Sequence, residues 1–409
     1  MNEGVKKEMN RLDKIFDSVV NNNLFINKSI LQSNYTPENI PHRNEQIESV
    51  ASVLAPALRG DRVSNLFIYG KTGTGKTISV QHVIDKIQEK LKEMGQNYIK
   101  FLYVNCKMKK VADTEYRIIA ELIKQLKSSV PVTGLPTDYV YGRFTDLIDD
   151  KKQLIIIVLD EIDQAVKKIS DDFIYSLTRM NSGLKNAQIS IIGISNSLTF
   201  MDNIDPRVRS SLGEEEIVFA PYNALELQDI LRERAEMAFR KGVLDDGVIT
   251  KCAAFAAREH GDARRALDLL RVAGELAERN NCKKIEEVHI DEANQKIERD
   301  KMLDIIESEP RQFQLVLKSI MDLSEKNINE GIFTGDVYNR YQEVCEKTKN
   351  EILTQRRVSD IVAEFDMLGI INASVISKGR QGRTREIKLM LGDNIKGKAK
   401  DILNDALGI

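Results

Sequence analysis

Gly70-Lys71-Thr72-Gly73-Thr74-Gly75-Lys76-Thr77 has the residue types and spacing of a phosphate-binding loop: Gly, four residues, Gly, Lys and a hydroxyl side chain. The apolar run 66–69 precedes it, so a strand would deliver the chain into a glycine-rich bend. Such a bend turns backbone N–H groups inward as an anion nest, and a helix opening near Lys76 adds the positive end of its dipole. Lys76 is then expected to reach the β- and γ-phosphates and Thr77 to join a Mg²⁺ shell, with Ile78 completing the loop. Two further chemistries stand at the ends of apolar runs. Asp160-Glu161 follows 154–159; Asp160 would hold Mg²⁺ through water and Glu161 would orient or deprotonate the attacking water. Asn196 follows 189–194, where its amide would reach the γ-phosphate or that water.

These residues need a parallel sheet to bring them together. Apolar segments at 66–69, 99–105, 154–159, 189–194 and 217–219 alternate with amphipathic ones, a pattern that indicates parallel strands covered by helices on both faces. The run 154–159 is wholly apolar, as a central buried strand should be, and its carboxyl end is where an open α/β sheet places its ligand. The interval 105–153 holds room for two helices, about 114–128 and 138–150, where one suffices; it is either a surface insertion or an added contact surface. From 224 to 308 the pattern is helical throughout, with stripes at 224–240, 246–259, 262–279 and 289–307.

Pro310 opens a third region. Helices at about 311–326, 334–347 and 354–368 precede β-rich segments at 370–376 and 385–391, the pattern of a winged helix. Val358, Ile361, Val362, Phe365 and Leu368 fall on one side of the third helix and Arg356 nearly opposite. Its exposed first turn therefore offers Thr354, Gln355, Arg356 and Arg357, of which Gln and Arg can pair bidentately with purine edges. The tip Lys378-Gly379-Arg380-Gln381-Gly382-Arg383 suits a wing on the DNA backbone. Seven basic residues against four acidic ones over 354–388 make the region locally positive, although such a domain can also dock proteins.

Composition narrows the classes. The chain has 409 residues, 42% hydrophobic and 30% charged, with 60 Lys plus Arg against 62 Asp plus Glu, so a DNA-binding surface has to be local. The four cysteines and four histidines are scattered, which argues for a reducing compartment and against a disulfide framework or zinc site. The N-terminus lacks an apolar signal core and no run of 18 apolar residues occurs; the expectation is a cytoplasmic, nucleoid-associated protein with no membrane partner.

Together these blocks resemble the AAA+ ATPases, and within them the archaeal replication initiators related to the origin recognition complex and the eukaryotic helicase-loading factor. The similarity runs from about Tyr35 to Leu391. It implies an N-terminal arm (1–40), an AAA+ base (41–221), a helical lid (222–308) and a winged-helix domain (309–409). Pro41-His42-Arg43 resembles the family's segment beside the adenine, and Phe219-Ala220-Pro221-Tyr222 with the following Arg234 its base-to-lid hinge; Arg43, Tyr222 and Arg234 are thereby implied to contact the nucleotide. In Gly261-Asp262-Ala263-Arg264-Arg265, Arg264 matches the lid sensor, with Arg265 the neighbouring alternative. Asp205-Pro206-Arg207-Val208-Arg209 lies where the family places an arginine finger, with Arg209 favoured over Arg207. The insertion implies a second DNA contact around Val130–Arg143. The resemblance further implies ATP or ADP with Mg²⁺, slow switch-like hydrolysis, origin DNA, a replicative helicase and a paralogous initiator subunit. An ATPase switch controlling transcription through its winged helix is the alternative, and a clamp-loader-like motor a second one.

Overall fold

The computed structural model describes residues 23–33, 35–108, 112–131, 133–326, 331–377 and 383–409, and the chain divides into two compact units with their boundary at Ile290/Asp291. In the first unit five parallel strands form one sheet in the order β2-β3-β4-β1-β5, with β1 at Leu66–Tyr69, β2 at Ile99–Asn105, β3 at Gln153–Asp160, β4 at Ala187–Ser195 and β5 at Glu215–Val218. Every residue of β3 is buried, because helices cover both faces. Ile155, Ile157 and Leu159 point to one core, and Leu154, Ile156 and Val158 to the other. Helices α1 (Asn44–Leu54) and α2 (Lys76–Glu93) close the second core with Val50, Leu54, Val80 and Ile84.

The crowded interval after β2 holds two helices, α3 (Glu115–Gln125) and α4 (Thr137–Ile148), packed on the first core through Ile118, Ile119, Leu122, Val140 and Phe144. Short helices α5 (Ile162–Ile169) and α6 (Asp172–Arg179) follow β3, and α7 (Pro206–Leu212) follows β4. The lid comprises α8 (Ala224–Ala238), α9 (Val248–Arg258), α10 (Ala263–Arg279) and the start of α11 (Glu287–Ser308). Asn223 and Glu226 form a capping box at the start of α8, and the Asp262 carboxylate accepts from the Arg264 and Arg265 N–H groups at the start of α10.

The described part of the expected arm is not a free tail. Leu24, Phe25, Ile30 and Leu31 are buried, Phe25 stacks on Phe239 at 4.6 Å, and Lys28 pairs with Glu275 at 2.6 Å. Backbone bonds from Ile26 N–H to the Ala238 carbonyl and from Arg240 N–H to the Leu24 carbonyl fasten this segment to the lid. The helical spacing at Leu12, Ile15, Phe16 and Val19 lies outside the described residues.

In the second unit α12 (Arg311–Lys326), α13 (Thr334–Thr348) and α14 (Gln355–Met367) surround a three-stranded antiparallel sheet, order β6-β8-β7, of β6 (Ile332–Phe333), β7 (Ile371–Ser377) and β8 (Arg383–Leu389). Val358, Ile361, Val362 and Phe365 are buried as their spacing requires, whereas Leu368 is 39% exposed because it caps α14 where the chain turns away. A final helix, α15 (Asp393–Leu407), adds Ala399, Leu403 and Leu407 to this core.

Candidate nucleotide site and candidate DNA-reading surface

Strand order explains how distant residues meet. Since β4 lies between β3 and β1, Asn196 at its end falls between the loop after β1 and Asp160 at the end of β3. The Lys76 ammonium donates to the Gly70 carbonyl at 2.7 Å, the Lys71 carbonyl at 2.7 Å and Asn196 Oδ1 at 2.9 Å. Burial pulls its pKa down to about 8, against the neighbouring Asp160 charge that raises it. A buried cation at a helix start favours anionic oxygens nearby.

Thr77 Oγ1 donates to Asp160 Oδ2 at 3.0 Å, and the Glu161 N–H donates to Oδ1 at 2.9 Å. Glu161 sits in the left-handed region (φ 53°), a strained position for a non-glycine residue, which turns its carboxylate toward the cavity. Burial raises its pKa, with Lys107 at 3.9 Å acting in the opposite direction. Asp163, which sequence reasoning passed over, accepts from Ser195 Oγ at 3.0 Å and from the Asn196 N–H at 3.2 Å, and so fixes the turn that aims Asn196. Tyr103 was also missed: its hydroxyl donates to Asp160 Oδ2 at 2.6 Å. Burial first, then the Asp160 charge, drives the phenol pKa upward, so it remains a donor.

A cavity of about 290 Å³ opens over these groups, walled by Gly73–Ile78, Asp160, Glu161 and Asn196 from the base, Arg234, Ala263, Arg264 and Leu267 from the lid, and Tyr35 and Pro37 from the preceding segment. The lid meets the loop directly. Ala263 N–H donates to the Gly73 carbonyl at 3.2 Å, and a Cβ at Gly73 (φ +68°) would overlap the Asp262 carboxylate, so a side chain there would displace that helix cap. His42 Nε2 lies 3.1 Å from Asp229 and Lys71 Nζ 3.2 Å from His260 Nδ1, two more ties between base and lid.

Arg264 lines the cavity while Arg265 is turned to Glu259 at 3.0 Å, which separates the two alternatives by position. Arg234 lies over the Tyr35 ring at 4.6 Å, and among the described residues its buried Nη1 has no hydrogen-bond partner. Tyr222 borders the cavity. Arg43 points elsewhere: its guanidinium stacks on Tyr222 at 3.8 Å and donates to the Thr74 and Ala220 carbonyls at 2.8 and 2.6 Å, bracing loop against hinge. Gly70, Lys71 and Thr72 shape the bend without bordering the cavity. Arg207 is held by Asp205 in two bonds of 3.0 and 2.9 Å, whereas the exposed Arg209 lies 3.8 Å from Asp202; among the described residues neither borders the cavity of its own chain.

The donor set suits a hard cation carried by a nucleotide. Thr77 and Asp160 offer hydroxyl and carboxylate oxygen, and among the described residues no cluster of three His, Cys, Asp or Glu side chains would cage a metal alone. In the second unit Thr354 caps α14 by accepting from the Arg357 N–H, and Gln355, Arg356 and Arg357 stand exposed on its first turn. Lys378 and Arg380 lie outside the described residues, as does the side chain of Arg383.

Parallel sheet, phosphate loop, helical lid and C-terminal winged helix define an AAA+ ATPase fold carrying a winged-helix domain. Residues 61–201, 228–295 and 304–395 match the family models described as AAA domain, Cdc6 AAA+ ATPase-type lid domain and CDC6, C terminal winged helix domain. The ORC1-type DNA replication protein of Pyrococcus furiosus is 51% identical over 397 residues, covering 95% of this chain and 92% of its own. That of Thermococcus onnurineus is 52% identical over 388 residues, 93% and 92% of the two chains. The structure of the Aeropyrum pernix ORC1 protein in complex with DNA superimposes with a TM-score of 0.81 at 43% identity, covering 93% of this chain and 97% of that one. The chain belongs to the family of ORC1-type DNA replication proteins, replication initiators of the ORC1/Cdc6 type. Among its described residues no helix is long and apolar enough to cross a membrane.

Proposed function

We propose that this protein binds ATP or ADP with Mg²⁺ and uses that nucleotide to control sequence-specific binding of origin duplexes, where it helps load the replicative helicase. The observation that carries the reading is the cavity itself, whose walls come from base, lid and the segment before the base, so a nucleotide filling it touches all three. Lys76 is the group for the β- and γ-phosphates. Thr77 and Asp160 would hold a metal ion, whose charge would offset that of the phosphates. Glu161 orients or deprotonates the lytic water, Asn196 holds the γ-phosphate or that water, and Arg264 covers the phosphates from the lid. Arg234 and Tyr222 border the nucleotide, and Arg43 keeps the loop seated against Tyr222 rather than touching ligand.

Neither Arg207 nor Arg209 reaches the cavity of its own chain, which supports a finger delivered to a neighbouring copy or paralogous initiator; Arg209, the less tightly held, is the better candidate. A lone chain would then hydrolyse slowly, as a switch. Duplex recognition is assigned to Gln355, Arg356 and Arg357, with Thr354 as the cap that sets the turn, Lys378, Arg380 and Arg383 as wing contacts, and Val130–Arg143 as a second contact. The relative from Aeropyrum pernix, solved in complex with DNA, supports DNA as ligand. Mapping where the protein sits on its own genome tests this reading. Enrichment at replication start sites is expected, and enrichment at promoters alone would transfer support to a transcriptional switch.

A further inference from the structure

Tyr103 belongs to the edge strand β2, so its outward N–H and carbonyl have no neighbouring strand to pair with. The Gln125 side chain supplies both partners. Its Oε1 accepts from the Tyr103 N–H at 3.0 Å and its Nε2 donates to the Tyr103 carbonyl at 2.8 Å. Gln125 is the last residue of α3, in the insertion between β2 and β3. The Tyr103 backbone is thus clamped from outside the sheet while its side chain runs to the cavity rim, where the hydroxyl reaches Asp160.

Asp160 is nearly saturated as a result. An ionised carboxylate offers about four lone-pair directions. Oδ2 accepts from Thr77 and Tyr103, and Oδ1 from the Glu161 N–H, which leaves one direction on Oδ1. A carboxylate so held keeps one orientation and has a single oxygen lobe to present toward an ion or its water. Groups that fix a metal-facing carboxylate in this way commonly contribute about 10- to 100-fold in affinity.

We infer that Tyr103 is a positioning residue of the metal–nucleotide site, holding Asp160 so that it meets the ion through the remaining Oδ1 direction, and that Gln125 holds Tyr103 in place. This rests on the nucleotide-binding reading above. The test is a Mg²⁺ titration of fluorescent ATP binding to the full-length protein, wild type and Tyr103→Phe, repeated in EDTA. Phenylalanine keeps the ring and the strand pairing and removes only the hydroxyl.

The expected result is a Mg²⁺ midpoint raised about tenfold or more, with EDTA affinity and apoprotein melting unchanged. Gln125→Leu, which leaves every cavity group intact, should move the midpoint in the same direction by a smaller factor. A Mg²⁺ midpoint equal to wild type in Tyr103→Phe overturns the inference. So does an equal loss of affinity with and without Mg²⁺, which marks a general structural defect. Wild-type protein that binds no ATP at all would instead remove the reading beneath it.

Discussion

On the proposed reading, the buried Lys76 ammonium would link nucleotide binding to pH. With the nucleotide absent its pKa is about 8, and phosphate oxygens around the ammonium would restore the charged form. Binding should therefore take up protons, roughly half a proton per site near pH 8, and affinity should fall as pH rises through about 8. Calorimetry in two buffers of different ionisation enthalpy measures that uptake, and Lys76→Met should abolish it. In the unfolded chain the group keeps its proton to about 10.5, so between about 8 and 10.5 this lysine makes the apoprotein more stable as pH rises. Glu161 carries a different prediction. Glu161→Gln should slow hydrolysis on the order of a hundredfold while ATP stays bound, which single-turnover assays on isolated complexes would register. Normal turnover would remove Glu161 as the water-orienting group.

At the scale of elements, the parts legible in the sequence were those with a local signature. β3 reads as a continuous apolar run because both its faces are covered, and the lid and winged-helix stripes follow their 3.6-residue period because one side of each helix is buried. The bend at 70–75 and the helix start at Lys76 were readable because the bend takes its glycines at positive φ. What escaped depends on contacts between remote segments. Asp163 and Tyr103 hydrogen-bond to Asn196 and Asp160, partners identifiable only once β2, β3 and β4 lie side by side. Arg43 was placed beside the nucleotide by the family resemblance; its bonds to the Thr74 and Ala220 carbonyls join segments that no local pattern links. The segment before the base is a similar case: Leu24 N–H donates to Glu278 across 254 residues, which no local pattern announces. Phe25→Ala should cost about 3–5 kcal/mol, since the ring is buried between Phe239 and Gly274, and denaturant unfolding of the intact protein would measure it. Gly73→Ala tests the meeting of lid and loop. The left-handed backbone penalises alanine by about 1–2 kcal/mol, and its methyl displaces Asp262, so ATP affinity should drop on the order of tenfold.

In the whole molecule the proposed nucleotide cavity lies in one unit, and an exposed helix turn bearing Gln355, Arg356 and Arg357 lies in the other. Arg356→Ala should weaken binding to an origin duplex by about 1–3 kcal/mol and relax preference at one base pair. On the proposed wing role, Arg383→Ala should chiefly lower the salt slope of affinity. The most direct measurement of the central claim is a set of isotherms at fixed salt, with origin and shuffled duplexes, each in ATP, ADP and no nucleotide. The account predicts that the origin duplex is preferred and that its affinity changes with the nucleotide supplied. Superimposable isotherms across all three nucleotide conditions, or equal affinity for the shuffled duplex, would contradict it.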